Sequence, residues 1–276
     1  MITFFKAVFD WTLNRSARLR RTRSKLWYQY VSHKLQNEPV LFMNYGYAYL
    51  DKGHHLRLHK RDEAHRTVAQ FYHHVASAVD LTGKDVLEIG CGRGGGASFV
   101  MRYFKPRSLL GVDLAESAVE FCRKYHRVEG LSFAQGDAEN LLLNDHSTDV
   151  VINVESSHCY GSMDRFVGEV CRVLRPGGHF LFADLGDKAR MARVRELFLR
   201  SGLEIVKEEK INANVVKAME ADSEKKLKVV NKVAPWFWHS VARQFAGLKG
   251  SSVYRALASD ETVYMHYVLR KNPSLA

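Results

Sequence analysis

Short apolar runs alternate with helix-like segments from residue 83 onward. Continuous apolar runs of this kind are typical of strands that are buried on both faces of a sheet. Strands are predicted at residues 85–89, 108–113, 131–135, 149–154, 179–184, 204–210 and 262–269. Helices are predicted near residues 94–103, 115–126, 163–173 and 188–202, and the segment Pro176-Gly177-Gly178 predicts a turn before the fifth strand. This alternation predicts an α/β fold with a doubly wound, mostly parallel sheet of seven strands.

Two regions stand outside this alternation. Residues 1–80 and residues 213–258 are helix-rich, and neither region contains a predicted strand. We therefore expect a helical N-terminal cap over residues 1–80, a core over residues 81–276, and a helical substrate cap inserted at about residues 213–258. Within the insertion, residues 222–228 carry charge on most sides and are interpreted as a solvated helix face.

Composition places the chain among globular proteins. Hydrophobic residues make up 46% and charged residues 26% of the 276 positions. No apolar run is long enough to span a membrane, and no small-residue cleavage site follows the early apolar stretch. The four cysteines are widely spaced, without a C-x-x-C pair. A cytoplasmic location is expected, with association at the inner face of the membrane left open.

The net charge of +11 is concentrated at the N-terminus, where residues 1–36 hold eight Lys or Arg and one acid, Asp10. Large apolar and aromatic residues lie between these charges, which favours amphipathic helices over a flexible tail. Such a segment can form a lid on its own domain, contact an anionic membrane surface, or bind nucleic acid. All three readings remain open at this point.

A glycine-rich turn follows the first predicted strand, with the sequence VLEIGCGRGGG at residues 86–96. Glycines at such a turn allow the backbone to approach a ligand closely, and Gly90, Gly92 and Gly95 also satisfy the dinucleotide pattern G-x-G-x-x-G. Glu88 stands two residues before Gly90. A carboxylate there would repel a pyrophosphate but could hold a cationic ligand, which favours a sulfonium-bearing nucleoside over NAD.

The next two strands end in further polar groups. Asp113 ends the second strand, where a carboxylate can accept hydrogen bonds from both hydroxyls of a ribose. Gly136, Asp137 and Ala138 follow the third strand and can offer an oxygen and a backbone N–H to an adenine edge. Three successive strand ends therefore point to one nucleoside.

With these motifs the sequence resembles the class I S-adenosylmethionine-dependent methyltransferases over about residues 70–185. The resemblance implies a Rossmann-like methyltransferase fold and S-adenosyl-L-methionine as cofactor. It implies that Gly90 and Gly92 contact the methionine part, Asp113 the ribose, and Asp137 and Ala138 the adenine. The segment NYGY at residues 44–47 also resembles the segment that closes over the cofactor in small-molecule and lipid methyltransferases. The further predicted cofactor-binding residues are Tyr45, Tyr47, Tyr72, Glu88, Gly94, Leu114, Gly136 and Asn153.

A narrower resemblance is carried by the segment NVESSHCY at residues 153–160 and by GDAENL at residues 136–141. These are similar to the phthiotriolone-type and fatty-acid O-methyltransferases, which implies a lipid-like small-molecule acceptor. The preferred acceptor is the carboxylate of a 3-hydroxy fatty acid, which would give a methyl ester. The alternatives are a phenol or alcohol on a polyketide or glycolipid, and a non-catalytic module that binds the cofactor and docks through its basic N-terminus. Tight binding of NAD alone would instead indicate a dehydrogenase.

The predicted acceptor-side residues follow the fourth strand. His158 is a candidate general base for a hydroxyl, or a donor that orients a carboxylate. Glu155 and Tyr160 are the other candidate catalytic residues. The Asn/Asp-Pro-Pro-aromatic pattern of nucleic-acid amino-methyltransferases is missing at this strand end, so no nucleic-acid substrate is expected.

No metal site is expected, although the chain has 13 histidines, because neither H-E-x-x-H nor cysteines at finger spacing occur. His73 and His74 are predicted to face opposite ways, one of them toward the cofactor beside Tyr72. A homodimer is compatible with the sequence, which identifies no interface.

Overall fold

The structure, a computed structural model, describes residues 40–51, 53, 56–233 and 239–273. The basic segment at residues 1–36 lies outside these residues. The strands are β1 (Asp85–Ile89), β2 (Ser108–Asp113), β3 (Leu131–Gln135), β4 (Thr148–Val154), β5 (Leu174–Asp187), β6 (Leu203–Lys210) and β7 (Thr262–Lys271). The helices are α1 (Arg66–Ala76), α2 (Gly95–Phe104), α3 (Glu116–Tyr125), α4 (Met163–Val173), α5 (Lys188–Arg200), α6 (Asn212–Val233), α7 (His239–Phe245) and α8 (Ser252–Ala258). Short 3-10 turns occupy Lys60–His65 and Ser157–Cys159.

The seven strands form one sheet in the order β3-β2-β1-β4-β5-β7-β6. β7 runs antiparallel to β5 and β6, and the remaining neighbours pair in parallel. The predicted seven-stranded, mostly parallel sheet is thus confirmed. From the adjacent pair β1 and β4 the strand order proceeds outward in opposite directions, and a crevice opens at their carboxyl ends.

Alternating side chains on the central strands build two cores. Phe180 and Phe182 on β5 face one side and pack with residues of α4 and α5. Leu181 faces the other side, in a cluster with residues of α1, α2 and α3. Because successive side chains of a strand point to opposite faces, an uninterrupted apolar run serves both cores at once.

Strand β5 begins earlier than predicted, at Leu174 instead of residue 179. Thr148 of β4 pairs with Leu174 and Val150 pairs with His179, so the predicted Pro-Gly-Gly turn is a bulge inside the strand. Gly177 takes up the bend with φ of +77°. A bulge adds residues to one strand without ending its pairing, which explains the longer element.

Helices α6, α7 and α8 occupy the chain between β6 and β7, where a helical insertion is expected. Val215 and Met219 of α6 are fully buried in the same core as α1. Among the helices of the described residues, none is long and apolar enough to cross a membrane.

Truncation of Leu181 tests the importance of this core. Leu181 is fully buried, whereas Leu142 is 88% exposed, so the two positions allow the same substitution in opposite environments. We expect Leu181→Ala to lower the free energy of unfolding by about 2–5 kcal/mol, and Leu142→Ala by less than about 0.5 kcal/mol. Chemical denaturation measures both values. Equal effects would contradict the packing described.

Candidate active site

A cleft of about 950 Å³, its open mouth included, lies at the carboxyl ends of β1 to β4. The predicted residues that line it are Tyr72, Gly90, Gly92, Asp113, Leu114, Gly136, Asp137, Ala138, Glu155 and Tyr160. The predicted residues outside its lining are Tyr45, Tyr47, Glu88, Gly94, Asn153 and His158.

The turn after β1 needs glycine because another chain segment lies directly against it. Gly90 has φ of +75°, and a Cβ atom there would lie 2.8 Å from the Tyr160 hydroxyl and closer still to Ser156. Any larger residue would therefore push these two side chains into the cleft. The turn gives way to α2, whose first N–H groups face the same edge of the sheet.

Asp113 ties the end of β2 to this turn. Its Oδ2 atom accepts a hydrogen bond from the Gly92 N–H at 2.8 Å, and its Oδ1 atom accepts one from the Ala115 N–H at 2.8 Å. Burial raises the pKa of Asp113, and these backbone donors oppose that shift. The carboxylate is thereby fixed at the cleft wall, with lone pairs left for a ligand.

The end of β3 forms a tight turn on the same wall. The Asn140 N–H donates to the Asp137 carbonyl at 3.0 Å, and the Glu139 N–H donates to the Asp137 carboxylate at 3.1 Å. Ala138 stands between Asp137 and Glu139, and all three residues line the cleft. The three strand ends that the sequence singled out therefore meet around one cleft.

Glu88 is placed behind the cleft wall instead of on it. It is 1% exposed, and its Oε1 atom accepts a hydrogen bond from the Tyr72 hydroxyl at 2.7 Å. Burial raises the pKa of Glu88 to about 8. Tyr72 lines the cleft and lies in front of Glu88, with its ring against Gly96. The expectation that Glu88 faces a cationic ligand directly is therefore not met.

Gly94 and Asn153 also stand behind the wall. A Cβ atom at Gly94 would meet Phe133 at 2.8 Å, because this glycine packs into the layer between α3 and β3. The Asn153 amide donates to the Ile89 carbonyl at 2.9 Å, to Ser156 Oγ at 2.7 Å and to the Tyr160 hydroxyl at 3.0 Å. Asn153 thus joins the ends of β1 and β4 and positions Tyr160.

The N-terminal segment covers the cleft with Asn44 of the predicted closing segment and with Leu41, Phe42 and Met43, which the sequence analysis missed. The Gly95 N–H donates to the Leu41 carbonyl at 3.1 Å, and Arg93 donates to the Val40 carbonyl at 2.6 Å. Asn44 turns the chain by accepting a hydrogen bond from the Gly46 N–H at 2.9 Å. The predicted closing segment is present, but it covers the cleft with the residues just before Tyr45.

Tyr45 and Tyr47 point elsewhere as a result of this turn. The Tyr45 N–H donates to Glu155 Oε1 at 2.8 Å, so Tyr45 adjoins the cleft residue Glu155 without lining the cleft itself. The Tyr47 ring stacks on His74 with centroids 4.2 Å apart. Neither His73 nor His74 lines the cleft, which corrects the expectation that one of them does.

Glu155 stands at the end of β4 in a strained backbone conformation, with φ of +47°. Strain of this kind persists only where the surroundings hold the residue in place. Its Oε1 atom accepts hydrogen bonds from the Tyr45 N–H and, at 2.8 Å, from the Tyr264 hydroxyl of β7. Burial raises the pKa of Glu155 to about 7, although these two donors and the charges of His158 and Lys226 oppose the shift.

His158 forms an ion pair with Asp184 beside the cleft. The two are joined by His158 Nδ1 and Asp184 Oδ1 at 2.8 Å, and the His158 N–H also donates to Asp184 Oδ2 at 2.9 Å. Burial opposes charge on the imidazole, but the fully buried carboxylate of Asp184 raises the pKa of His158 well above its ordinary value. Burial likewise opposes charge on Asp184, whose pKa His158 and Arg190 hold at about 2.

Lys226 of α6 is partly buried at this same end of the structure. Its ammonium lies 3.4 Å from the Tyr45 carbonyl and 5.8 Å from the centroid of the Tyr45 ring. Lys226 therefore departs from the interpretation of residues 222–228 as a solvated face, because α6 packs against the N-terminal segment. Asp184, Tyr264 and Lys226 carry no local sequence signal that could have identified them.

The fold and the cleft define a class I methyltransferase architecture. A family model described as a methyltransferase domain matches residues 87–182. Solved structures with this fold include the [4+2]-cyclase SpnF, with a TM-score of 0.70 and 20% identity over 90% of this chain and 95% of that one. A geranyl diphosphate methyltransferase in complex with GPP and sinefungin matches with a TM-score of 0.67 and 14% identity, over 91% and 99% of the two chains. The cyclase shows that the fold by itself does not determine the reaction.

Curated relatives define the family more narrowly. The phthiotriol/phenolphthiotriol dimycocerosates methyltransferase of Mycobacterium leprae is 39% identical over 248 residues, which cover 90% of this chain and 92% of that one. The fatty-acid O-methyltransferase of Mycolicibacterium smegmatis is 37% identical over 261 residues, which cover 95% and 93% of the two chains. This chain belongs to the S-adenosylmethionine-dependent methyltransferases, in the group that contains these lipid-directed enzymes. Membership of this family rules against the two alternatives of a dehydrogenase and of a non-catalytic cofactor-binding module.

Substitution of Gly90 tests the close packing of Ser156 and Tyr160 against the turn after β1. Gly90 and Gly83 both have positive φ, +75° and +68°, but a Cβ atom at Gly83 would meet nothing within 4 Å. Alanine therefore costs about 1–2 kcal/mol of backbone strain at either position, and only at Gly90 does it displace cleft residues. We expect Gly90→Ala to weaken S-adenosylmethionine binding more than about tenfold. Isothermal titration should give an unchanged affinity for Gly83→Ala. An equal loss of S-adenosylmethionine affinity in the two variants would contradict a role for the space at Gly90.

Proposed function

We propose that this chain is an O-methyltransferase that esterifies the carboxylate of a lipid-like acceptor, with a 3-hydroxy fatty acid as the preferred substrate. The observation that carries the proposal is the ion pair of His158 and Asp184 beside the acceptor end of the cleft. The similarity to a fatty-acid O-methyltransferase supports the same class of acceptor.

The strand ends fit S-adenosylmethionine. Gly90 and Gly92 would adjoin its methionine part, Asp113 its ribose hydroxyls, and Asp137 with Ala138 its adenine. The fixed Asp113 carboxylate and the space that only glycine leaves at residue 90 support this placement. When bound, the cofactor supplies a methyl group on a positively charged sulfur.

Methylation of a carboxylate acceptor requires no proton transfer by the protein. Fatty acids have a pKa near that of a glutamate side chain, about 4.3, so the acceptor is ionised at neutral pH and needs no general base. The protein must exclude water and align the acceptor oxygen with the methyl group. Alignment of this kind can lower a barrier by about 7–11 kcal/mol.

His158 is suited to hold such an anion. Its raised pKa keeps the imidazole protonated at neutral pH, because the Asp184 carboxylate stabilises the charge. A protonated imidazole donates hydrogen bonds and does not accept a proton, so it favours an acceptor that is already ionised.

Lys226 adds a second cationic side chain near the same place; burial lowers its pKa, and the nearby carboxylates of Asp222 and Glu155 oppose that shift. It lies against Tyr45, whose N–H donates to Glu155, so cationic groups approach Glu155 from both α6 and the β4 end. Two cations beside a largely apolar cleft match an acceptor with an anionic head group and an acyl chain.

Glu155 introduces a dependence on pH. Below its pKa of about 7 the carboxyl is neutral and tolerates an anionic acceptor beside it. Above that pH Glu155 is ionised and repels the acceptor carboxylate. We therefore expect methylation of a fatty acid to decline as the pH rises through about 7.

The alternative acceptor is a phenol or alcohol on a polyketide or glycolipid, with His158 as general base. The similarity to phthiotriol/phenolphthiotriol dimycocerosates methyltransferases favours it. A hydroxyl acceptor must lose a proton, so its methylation would increase as the pH rises through the pKa of His158. The direction of the pH profile therefore separates the two acceptors.

The basic segment at residues 1–36 completes the proposal. Its eight Lys or Arg against one acid suit a peripheral contact with an anionic membrane surface, from which a lipid acceptor would be drawn. Assembly of the chain into a homodimer stays a prediction from the sequence.

Exchange of Glu155 for glutamine gives a direct test. Glutamine keeps an oxygen for the Tyr45 and Tyr264 donors but cannot ionise. We expect Glu155→Gln to retain methylation of a 3-hydroxy fatty acid within about threefold at pH 6, and to lose the decline above pH 7 that wild type shows. Initial rates from pH 5.5 to 9 measure this.

Glu139 provides the matched control, because it lines the same cleft and its Oε1 atom accepts a hydrogen bond from the Gly161 N–H at 2.6 Å. Glu139→Gln should leave the shape of the pH profile unchanged. A loss of more than about a hundredfold in Glu155→Gln alone would assign Glu155 as a base and oppose the carboxylate proposal.

Removal of the His158 charge is expected to affect acceptor binding. His158→Gln keeps a hydrogen-bonding side chain but no positive charge. We expect KM for the fatty acid to rise about tenfold or more, with the affinity for S-adenosylmethionine unchanged. Steady-state kinetics and titration separate the two quantities. A lower kcat with an unchanged KM would point to proton transfer instead.

A further inference from the structure

A second cluster of polar side chains lies apart from the cleft lining, between α1 and the antiparallel pair β6 and β7. It consists of His74 near the end of α1, Glu209 on β6 and His266 on β7. Glu209 and His266 are direct partners in the register of the two strands. The sequence analysis expected no metal site because neither H-E-x-x-H nor cysteines at finger spacing occur. Glu209 and His266 lie far from His74 along the chain and form no local motif with it.

The three side chains present their ligand atoms to a common point. His74 Nε2 lies 3.1 Å from Glu209 Oε2, and His266 Nδ1 lies 3.6 Å from that oxygen. All three ligand atoms lie within 4.8 Å of one another. Ligands at 2.0–2.2 Å from a tetrahedral zinc ion are about 3.4 Å apart, so the two measured distances bracket the required spacing.

His266 has no hydrogen bond that explains its burial. Its side chain is fully buried, and neither ring nitrogen has a hydrogen-bond partner among the described residues. An unpaired polar group in this environment is costly, which makes a missing ligand the natural explanation. Glu209, by contrast, is 32% exposed and gives an ion access from solvent.

We propose that His74, Glu209 and His266 bind a Zn²⁺ ion, with water completing the coordination. Histidine nitrogen and carboxylate oxygen are ligands that zinc prefers, and an ion here would bind His266 Nδ1, one of the two buried ring nitrogens without a hydrogen-bond partner.

The site would act as a structural clamp. It joins α1 to strands β6 and β7, and the Tyr47 ring stacks on His74 with an interplanar angle of 14°. Tyr47 belongs to the segment that continues from the cleft residue Asn44, and its N–H donates to the Thr67 carbonyl at 2.9 Å. A bound ion would therefore stiffen the base of the segment that covers the cleft.

The Lys207 ammonium would compete with a zinc ion for the Glu209 carboxylate. Its ammonium lies 2.7 Å from Glu209 Oε2, and its side chain is 48% exposed. An exposed lysine can move aside when an ion binds, but its charge opposes that binding. Removal of the Lys207 charge should therefore strengthen zinc binding, which would not follow if the cluster were merely a buried ion pair.

The test uses the full-length chain, stripped with a chelator and titrated with zinc chloride. After gel filtration, elemental analysis should find about one zinc per wild-type chain, and less than about 0.2 in His74→Gln and Glu209→Gln. His179→Gln, which changes a partly buried histidine of β5 outside the cluster, should retain about one.

Lys207→Gln should bind zinc about tenfold more tightly than wild type, which a competition assay with a chelating dye measures. This variant keeps the proposal testable if a ligand variant fails to fold, as judged by circular dichroism and S-adenosylmethionine binding. No zinc in the wild type, an equal zinc content in folded Glu209→Gln, or an unchanged affinity in Lys207→Gln would each overturn the site.

Discussion

The parallel pairing of β1 and β4 at the centre of the sheet is the constraint on which the rest of the structure depends. The strand order proceeds outward from this pair in opposite directions, so their carboxyl ends are left uncovered and form a crevice. Asn153 holds the two ends together by donating to the Ile89 carbonyl. The glycine turn, the Asp113 carboxylate and the strained Glu155 all project into the space that results. The candidate active site is thus built around the place where this pair of strands ends, and the ends of β2 and β3 complete its wall.

Buried ionisable side chains determine the electrostatic character of one end of the cleft. Asp184 is fully buried and would be costly as an isolated carboxylate, so it is held by His158, Ser157 and Arg190. The imidazole gains a stable positive charge in return. Glu155 is buried in a similar way, and burial raises its pKa because the hydrogen bonds from the Tyr45 N–H and the Tyr264 hydroxyl offset only part of that shift. One end of the cleft therefore combines an imidazole whose pKa Asp184 raises with a carboxyl whose pKa burial raises to about 7.

Sequence reasoning located the strands and the cofactor side of the cleft well, because both are encoded locally. Apolar runs and the residues that end them lie within a few positions of each other, and Asp113 could be assigned from its place at a strand end. The acceptor side depends on contacts between distant segments. Tyr264 reaches Glu155 across 109 residues, Asp184 reaches His158 across 26, and Lys226 is buried only because α6 meets the N-terminal segment. Glu88 was placed on the correct strand, but no local pattern reveals that Tyr72 stands between it and the cleft. The order of strands and the bulge in β5 were likewise beyond any local signal.

The nature of the bond that receives the methyl group tests the proposed function most directly. The full-length enzyme would be incubated with S-adenosylmethionine labelled in the methyl group and a mixture of 3-hydroxy fatty acids and phenolic lipids, and the labelled product would be treated with mild alkali. An anionic acceptor held by His158 and Lys226 predicts a methyl ester, so the label should be released as methanol. Label that survives alkali in an ether, or no transfer to either class of lipid, would contradict the proposal.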